Sequence, residues 1–377
     1  MSPHALIELL FHYDQTFITG VPDSIFKHFL SALVQDSRFQ HVITNNEGEA
    51  CALAAGYHLA TGKIPVVYMQ NSGLGNSINP LTSLIDAHIY SIPIVLLIAW
   101  RGRPGVPDEP QHVRMGAILP QLLSLLDIAY SVADSAEEKM APIFQQADQH
   151  LTQQKKPYAI LFPNHVFQVK TSRIETDAEI VLKGHIVREQ LLEWLIQHAQ
   201  EDDVWVTTTG KTSRELYELR ERYHQDHSRD FLTVGSMGCS ASIALGIAMQ
   251  CKHRRVILID GDGACLMRME ALATIGHEAP QNFIHIVVDN NAYESTGSQK
   301  TLSDDVDLAG VANACRYYHS VTVHDLTAFY HAFMSVTRGP TMIVAKTISY
   351  SRVDLGRPKT TPIENKLAFM QRLGVTV

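Results

Sequence analysis

The chain has 377 residues, 45% of them hydrophobic and 19% charged, with a formal net charge of −8 at pH 7. This length predicts two domains of ordinary size, and the apolar fraction excludes an intrinsically disordered chain. The net negative charge argues against non-specific binding to nucleic acid or to an anionic membrane surface.

Targeting and redox features of the sequence predict a cytoplasmic protein. The first residues lack a basic segment followed by a long apolar run, and no stretch approaches the roughly 18 apolar residues of a membrane span. The cysteines are odd in number and none forms a C-x-x-C pair; they are Cys51, Cys239, Cys251, Cys265 and Cys315. The spacing therefore argues against a disulfide framework and against a thiolate zinc site.

Short apolar runs alternate with longer amphipathic stretches along the whole chain. The runs are almost continuously hydrophobic, which predicts parallel strands buried on both faces, at residues 40–44, 65–69, 92–98, 158–162, 204–208, 256–259, 283–288 and 341–345. Helical patterns fall between them, for example at residues 47–60, 133–154, 186–198, 240–250 and 264–275. This order predicts an α/β fold with doubly wound parallel sheets.

The polar stretch 169–178 (VKTSRIETDA) is the best candidate for a linker. It predicts a first domain at 1–168, a linker at 169–180 and a second domain at 181–377. In doubly wound sheets, ligands bind outside the carboxyl ends of the strands. Residues that directly follow a predicted strand are therefore the first candidates for a functional site.

The most specific signal lies in the second half, where two predicted strands end in oxygen-rich sequences. One strand runs into DGDGA at 260–264, and the next runs into DNN at 289–291. Asp262 and Asn290, with a following backbone carbonyl, supply the hard oxygen ligands that Mg²⁺ prefers. Either sequence alone could be an ordinary acidic turn. Both together, at strand ends and with a helix between them, predict a magnesium site.

The backbone around the first of these motifs is suited to a diphosphate. Gly261 and Gly263 allow the main chain to approach phosphate oxygens closely, because they carry no Cβ. A helix that begins near Ala264 would add backbone N–H donors. The sequence therefore predicts that a magnesium ion and a diphosphate group bind together.

A second candidate for phosphate binding follows the strand predicted at 204–208. Gly210-Lys211-Thr212-Ser213 resembles the end of a P-loop, but Trp205 stands where a P-loop requires glycine. This difference argues against a nucleoside triphosphatase. It leaves Gly210, Lys211 and Thr212 as predicted donors to the same diphosphate.

Three segments together resemble the thiamine-diphosphate enzymes. The GDG motif and the asparagine pair resemble the family's cofactor motif, NEGEA at 46–50 resembles the segment of its activating glutamate, and GSMG at 235–238 resembles the segment that holds the aminopyrimidine ring. The resemblance implies that the Gly235 carbonyl accepts the 4′-amino group and that Met237 wedges the cofactor into its bent shape. It also implies that Glu47 hydrogen-bonds the pyrimidine N1′. The alternative interpretation of Glu47 is an acid in the first turn of a helix.

Further blocks resemble the phosphonopyruvate decarboxylases, which share their general pattern with the sulfopyruvate decarboxylases. They are GVPDS at 20–24, YMQNSGLGN at 68–76, WRGRPGVPDEPQH at 100–112 and TTGKTSREL at 208–216. A chain of this length has no room for the middle domain of the larger pyruvate decarboxylases. The resemblance implies a thiamine-diphosphate-binding fold with a pyrimidine-binding domain at 1–168 and a diphosphate-binding domain at 181–377.

The loop DNNAYESTGSQKT at 289–301 departs from the family pattern and allows two alignments. Aligning Glu294-Ser295 with the family's Asp-Ser pair makes Asn290 the metal ligand, Ala292 the carbonyl donor and Ser295 a cofactor contact. Counting from the asparagine pair instead selects Asn291 and Tyr293. We prefer the first alignment, because a downstream glycine and glutamine then also match. Cys239 and Arg268 stand where the family has histidine, which leaves the substrate open.

The anionic end of the substrate is expected to meet polar residues of the first domain. An arginine fork with amides and a hydroxyl suits a phosphonate or sulfonate. For the two arginines, the alternative is a solvated loop, and the histidine is also a candidate proton donor. The predicted substrate residues are Asp23, Ser24, Asn71, Asn76, Arg101, Arg103 and His112.

The resemblance implies decarboxylation of 3-phosphonopyruvate to phosphonoacetaldehyde and CO₂, with thiamine diphosphate and Mg²⁺ as cofactors. It also implies a homodimer or higher homo-oligomer, because Glu47 of one subunit meets the cofactor held by another. The alternatives are a sulfopyruvate decarboxylase, another 2-oxo acid decarboxylase or carboligase, and a non-catalytic nucleotide-binding regulator.

Overall fold

The computed structural model describes residues 1–167 and 186–376. The chain divides into two compact units, which lie within Met1–Arg173 and Ile174–Val377. Each unit contains a six-stranded sheet whose strands all pair in parallel, with helices between them. The predicted α/β fold class is therefore confirmed. The linker predicted at 169–180 lies outside the described residues.

The N-terminal unit is one doubly wound sheet with strand order β2-β1-β3-β4-β6-β5. Its strands are β1 Phe17–Gly20, β2 Gln40–Ile43, β3 Val66–Gln70, β4 Val95–Trp100, β5 Ala129–Val132 and β6 Tyr158–Pro163. Its α-helices are α1 Pro3–His12, α2 Lys27–Leu33, α3 Glu47–Thr61, α4 Leu74–Pro80, α5 Pro110–Leu125 and α6 Met140–Gln154.

The central strands of this sheet have apolar side chains on both faces. In β4, Val95 and Leu97 belong to the apolar cluster on one side, whereas Leu96 and Ile98 belong to the cluster on the other. Helices α1, α2 and α6 supply buried residues to the first cluster, and α3, α4 and α5 supply them to the second. The continuous hydrophobic runs follow from this two-sided burial.

The C-terminal unit repeats this plan with strand order β13-β14-β10-β9-β7-β8. Its strands are β7 Val204–Thr207, β8 Asp230–Leu232, β9 Val256–Gly261, β10 Phe283–Asp289, β13 His319–Val323 and β14 Thr341–Lys346, with a separate hairpin of β11 Ala292–Tyr293 and β12 Gln299–Lys300. Its helices are α7 Arg188–His198, α8 Lys211–Arg222, α9 Ser240–Gln250, α10 Asp262–Met267, α11 Glu270–Glu278, α12 Leu308–Ala314, α13 Leu326–Met334 and α14 Pro362–Arg372.

In each unit the chain reverses its direction of winding between two adjacent central strands. The reversal lies between β1 and β3 in the N-terminal unit and between β7 and β9 in the C-terminal unit. Connections that leave these strands run in opposite directions, which opens a crevice at their carboxyl ends. The residues that follow β1, β3, β7 and β9 are therefore placed where a ligand binds in such sheets.

Two predicted helices differ from the structure. The helix predicted at 264–275 is broken at Arg268, whose backbone is not helical (φ −132°, ψ 44°), so that α10 and α11 are separate. The helix predicted at 133–154 begins only at Met140. The side chain of Asp134 accepts a hydrogen bond from the Ala136 backbone N–H, a local turn that competes with the helix. None of the described helices is both long and apolar enough to cross a membrane.

Candidate active site

Glu47 follows β2 and is the first residue of α3. It is 6% exposed, and its Oε2 accepts a 2.7 Å hydrogen bond from Nδ2 of Asn76. The helix is capped by Asn46, whose side chain accepts from the Gly48 backbone N–H at 2.8 Å. Because Asn46 makes the cap, capping does not explain the position of the Glu47 carboxylate.

Gly73 packs directly against the same carboxylate. A Cβ built on Gly73 would lie 2.3 Å from Oε1 of Glu47, closer than side chains tolerate. A second close approach involves Gly48, where a Cβ would lie 2.8 Å from the backbone carbonyl oxygen of Asn76. The carboxylate is thus held in one orientation by an amide on one side and a glycine on the other. Neither contact could be deduced from the spacing of the motifs.

Asp23 lies at the crevice between β1 and β3. It is buried, with Oδ1 accepting from the Ile25 backbone N–H at 2.8 Å and Oδ2 accepting from Nε2 of Gln70 at 2.7 Å. Gln70 in turn accepts a hydrogen bond from the Ser72 hydroxyl at 2.6 Å. Both oxygens of Asp23 are thus engaged by the protein. Gln70, which ends β3, is a site residue that the sequence motifs do not predict.

Arg101 follows β4. The sequence assigns its guanidinium group to an anionic substrate, but in the structure two of its nitrogens bind the carboxylate of Asp108. Nε and Nη2 of Arg101 donate to the two oxygens of Asp108 at 2.8 and 2.5 Å. Burial raises the pKa of Asp108, but Arg101 and the backbone N–H groups of Gly102 and Glu109 outweigh it and hold that pKa well below its usual range. Nη1 of Arg101 donates to the Ser24 hydroxyl at 3.1 Å, so Ser24 and Arg101 do meet.

The other predicted substrate residues of this unit have separate environments. Asn71 is buried and donates to the Arg101 backbone carbonyl at 2.8 Å, so it fixes the turn after β4. His112 is buried, and its pKa is lowered by burial and by the charge of Arg101, which favours the neutral imidazole. Arg103 is exposed, with its guanidinium 5.2 Å from the ring centroid of Trp100.

In the C-terminal unit, Asp262 begins α10 directly after β9. It is 3% exposed, and burial raises its pKa to about 6, helped by the nearby charge of Asp289 and opposed by hydrogen bonds from Thr301 and Ser303. The Thr301 hydroxyl donates to Oδ2 of Asp262, and the Ser303 hydroxyl donates to Asp289 at 2.6 Å. Thr301 and Ser303 are site residues that sequence reasoning missed, since single hydroxyls after a loop carry no recognisable spacing.

The two predicted alignments of the asparagine pair place different side chains near Asp262. Asn290 accepts from the Ala292 backbone N–H at 3.1 Å, and its Nδ2 donates to Glu294 at 3.3 Å. Oδ1 of Asn291 lies 3.3 Å from the same Thr301 hydroxyl that donates to Asp262. The hydrogen bonds therefore link Asn291 to Asp262, whereas Asn290 shapes the turn that carries the Ala292 carbonyl. The choice between the two alignments stays a prediction.

The donor set in this region fits the predicted metal and diphosphate. The buried Asp262 carboxylate and the Thr301 and Ser303 hydroxyls, with the half-buried asparagine amides, offer oxygen ligands, which Mg²⁺ prefers. The chain also approaches closely at Gly263, where a Cβ would lie 2.6 Å from Cε1 of Tyr293. At Gly261 a Cβ would meet the Thr208 methyl group at 3.8 Å, so this glycine faces the loop after β7.

Three predicted cofactor segments of the C-terminal unit come together. The Gly235 backbone N–H donates to Oγ1 of Thr209 at 3.1 Å, which joins the GSMG segment to the loop before α8. A Cβ on Gly238 would lie 3.0 Å from the Ala264 carbonyl oxygen and 2.5 Å from Cγ of Arg268. The loops after β7, β8 and β9 thus meet at one edge of the sheet. Met237 lies partly buried within this group.

The remaining predicted cofactor contacts are distributed around α8 and the asparagine loop. Gly210 precedes α8 with φ +103°, a conformation that favours glycine, and Thr212 is buried in the first turn. Nζ of Lys211 donates to Glu294 at 2.9 Å and to the Ser351 hydroxyl at 2.7 Å. Lys211 is thus paired within the protein. Ser295 is exposed.

Comparison with known proteins agrees with this geometry. The family model described as thiamine pyrophosphate enzyme, N-terminal TPP binding domain, matches residues 3–119, and the corresponding C-terminal TPP binding domain matches residues 208–344. The two matches fall in the two separate units, and each includes one set of the strand-end residues described above.

Relatives match over most of the chain. A phosphonopyruvate decarboxylase from Streptomyces viridochromogenes is 39% identical and covers 93% of this chain and 89% of its own length. Another from Streptomyces hygroscopicus is 37% identical, with coverages of 94% and 90%. A sulfopyruvate decarboxylase from Methanosarcina acetivorans is 32% identical and covers 78% of each chain. The chain therefore belongs to the thiamine pyrophosphate enzymes, in the branch that includes the phosphonopyruvate and sulfopyruvate decarboxylases.

Proposed function

We propose that this chain decarboxylates 3-phosphonopyruvate to phosphonoacetaldehyde and CO₂, with thiamine diphosphate and Mg²⁺ as cofactors. The observation that carries the proposal is the 39% identity to a phosphonopyruvate decarboxylase across 93% of the chain. At this level of similarity the relative's activity is the first to test. The predicted division into a pyrimidine-binding domain at 1–168 and a diphosphate-binding domain at 181–377 is supported by the separate N- and C-terminal family matches.

The C-terminal unit supplies the groups for the metal and the diphosphate. Asp262 is assigned to Mg²⁺ as a carboxylate ligand. In the preferred alignment the other protein ligands are the Asn290 amide and the Ala292 carbonyl. In the other alignment they are Asn291 and Tyr293. The residues assigned to the diphosphate are Gly210, Lys211, Thr212, Gly261, Gly263, Ala264 and Ser295. Gly235 and Met237 are assigned to the aminopyrimidine. When bound, thiamine diphosphate supplies the electron sink that decarboxylation of a 2-oxo acid requires.

Glu47 is the proposed catalytic residue of the N-terminal unit. Its carboxyl group holds or releases a proton at the pyrimidine N1′. The hydrogen bond from Asn76 and the close packing of Gly73 orient it for that contact. Since the carboxylate is buried, little rearrangement of solvent around it is needed when the proton moves.

The anionic end of the substrate is assigned to the edge formed by Ser24 and Arg101. Asp108 fixes the guanidinium plane and leaves Nη1, next to the Ser24 hydroxyl, as the donor. Asn71 and Asp23 support this edge through the turns that they hold. His112 is the proposed proton carrier, because its lowered pKa favours a neutral ring. Arg103 is the outermost of the proposed contacts.

The assembly and location are part of the same proposal. A homodimer or higher homo-oligomer in the cytoplasm agrees with the family resemblance, in which Glu47 of one subunit serves the cofactor of another. Size-exclusion chromatography with light scattering tests the assembly. A monomer with full activity would contradict it.

Aldehyde release tests the proposed reaction. Purified protein with Mg²⁺ and thiamine diphosphate is supplied with phosphonopyruvate, sulfopyruvate or pyruvate at equal concentration, and the aldehyde and CO₂ are measured. Preference for phosphonopyruvate supports the proposal. Preference for sulfopyruvate selects the second candidate, which the 32% identity to a sulfopyruvate decarboxylase favours. CO₂ without free aldehyde would indicate carboligation.

A further inference from the structure

A buried cluster of metal-ligand side chains lies near the junction of β9 and α10. Its members are Asp260 at the end of β9, Cys265 in α10 and His285 in β10. One potential ligand atom from each residue lies within 4.8 Å of the other two. Asp260 and His285 are fully buried and Cys265 is 4% exposed. None of these three residues belongs to the proposed magnesium site.

Two atoms of this cluster lack the hydrogen bonds that buried polar atoms normally make. Among the described residues, Oδ2 of Asp260 and Nε2 of His285 find no hydrogen-bond partner, although these two atoms lie 3.5 Å apart. Leaving a buried polar atom unsatisfied costs about 1–3 kcal/mol, more for a charged one. The Cys265 sulfur is the third group beside them, so an ion between the three would satisfy both atoms at once.

The opposite sides of these side chains are held by the surrounding protein. Oδ1 of Asp260 accepts from the Ser240 hydroxyl at 3.1 Å and from the Gly261 backbone N–H at 3.0 Å. Nδ1 of His285 lies 3.3 Å from the Tyr317 hydroxyl. Metal-bound histidines and carboxylates commonly use their second atom in this way, which fixes the ring and leaves the ligand atom for the ion.

We propose that Asp260, Cys265 and His285 bind a zinc ion. Tetrahedral zinc with bonds of about 2.0–2.1 Å to oxygen and nitrogen separates those two ligands by roughly 3.3 Å, close to the observed 3.5 Å. A thiolate, an imidazole and a carboxylate are all common zinc ligands. The carboxylate and the thiolate together balance the charge of the ion, and a neutral imidazole adds none.

The rival interpretation is a metal-free hydrogen bond from His285 to Asp260. The two atoms lie 3.5 Å apart and make no hydrogen bond to each other in the structure, and such a bond would leave the Cys265 sulfur without a role. The absence of C-x-x-C spacing in the sequence does not bear on a site of this kind. Its three ligands come from two strands and a short helix, and only one of them is a cysteine.

The zinc or cobalt content of the purified protein tests the site. Because the ligands are buried, the ion enters during folding, so cells are grown with added zinc or cobalt and the protein is purified in excess Mg²⁺. We expect about one zinc ion per chain by mass spectrometry. With cobalt we expect visible bands of tetrahedral Co²⁺ and a near-ultraviolet thiolate-to-metal band.

Three variants separate this site from metal bound elsewhere on the protein. Cys265→Ser is nearly isosteric and is expected to lose most of the zinc and the whole thiolate band. Cys251→Ser, which alters a half-buried cysteine outside the cluster, and Asp262→Ala, which removes the proposed magnesium ligand, are expected to retain both. Circular dichroism checks that each variant is folded. Wild-type protein with a small fraction of an equivalent of zinc, or equal zinc in Cys265→Ser, would overturn the proposal. The readout is metal content, so it is independent of the proposed decarboxylase activity.

Discussion

Nδ2 of Asn76 donates a 2.7 Å hydrogen bond to Oε2 of Glu47, and the two residues belong to consecutive α-helices of the N-terminal unit. The bond joins one residue assigned to the substrate and one assigned to the cofactor. Because the amide donates, it stabilises the ionised carboxylate rather than its protonated form. Asn76 is therefore as much a positioning residue for Glu47 as a substrate contact.

The Glu47→Gln substitution tests the catalytic assignment. It preserves shape but removes the proton-transferring carboxylate, so we expect decarboxylation to fall by about 10²–10⁴-fold while binding of thiamine diphosphate changes little. Steady-state kinetics and cofactor titration measure the two effects. Glu49→Gln is the matched control, since Glu49 is exposed in the same helical turn. Unchanged turnover in Glu47→Gln would remove Glu47 from the mechanism.

Gly73→Ala tests whether the position of the Glu47 carboxylate matters. The added methyl group would lie 2.3 Å from Oε1, so the carboxylate must move away. Displacement of a catalytic group by about 1 Å lowers turnover by roughly 100-fold. Gly75→Ala is the control, because Gly75 is exposed and a Cβ placed there would meet no atom of the described part of the chain within 4 Å. Equal activity of the two variants would show that the carboxylate tolerates the shift.

Metal binding should depend on pH through Asp262. Burial raises its pKa to about 6, so the carboxyl group is protonated below that pH and becomes a ligand above it. We expect the Mg²⁺ affinity to be weaker at about pH 5 than at about pH 7.5. Isothermal titration in the presence of thiamine diphosphate measures the difference. Affinity that is flat across this range would argue that Asp262 is not a ligand.

The sequence predicts the central strands except the four-residue β1, but among the four edge strands it predicts only β2, and it predicts few side-chain partners. Strands such as β4, β9 and β10 are buried on both faces and leave a continuous apolar run. The edge strands β5 and β13 are half exposed, so their sequences carry no such run and do not predict a strand.

In the candidate site too, some residues could be predicted from the sequence and others could not. Asp262 and Glu47 belong to local motifs with fixed spacing, which the sequence alone reveals. Thr301, which donates to Asp262, and Gln70, which donates to Asp23, act through contacts across 39 and 47 residues. From the sequence, Asp108 is only part of a charged turn, because nothing there indicates that the chain folds back onto Arg101.

The Arg101–Asp108 pair is expected to hold the loop after β4. Asp108→Asn weakens the four hydrogen bonds that Asp108 accepts from Arg101, Gly102 and Glu109. We expect the free energy of unfolding to fall by about 1–3 kcal/mol. We also expect a higher KM with less change in kcat. The pKa of Asp108 is held below its ordinary value of 3.8, so its contribution is complete above about pH 4 and is lost as the pH falls further. Denaturant unfolding of both proteins at neutral and acid pH measures this. In an Arg101→Gln background only the bonds from the Gly102 and Glu109 backbone remain, so the difference should shrink; an undiminished difference would contradict the pairing.

Substitutions in the asparagine pair decide which residue binds Mg²⁺. In the preferred alignment Asn290 is the ligand, so Asn290→Ala should weaken Mg²⁺ and thiamine diphosphate binding by at least about tenfold. Asn291 has φ +50°, a conformation that glycine adopts without strain, so Asn291→Gly should keep the turn and most of the affinity. Cofactor titration at fixed Mg²⁺ compares the two variants. The reverse order, with Asn291→Gly the weaker binder, would select the alignment in which Asn291 and the Tyr293 carbonyl hold the ion, because the Thr301 hydroxyl already joins Asn291 to Asp262.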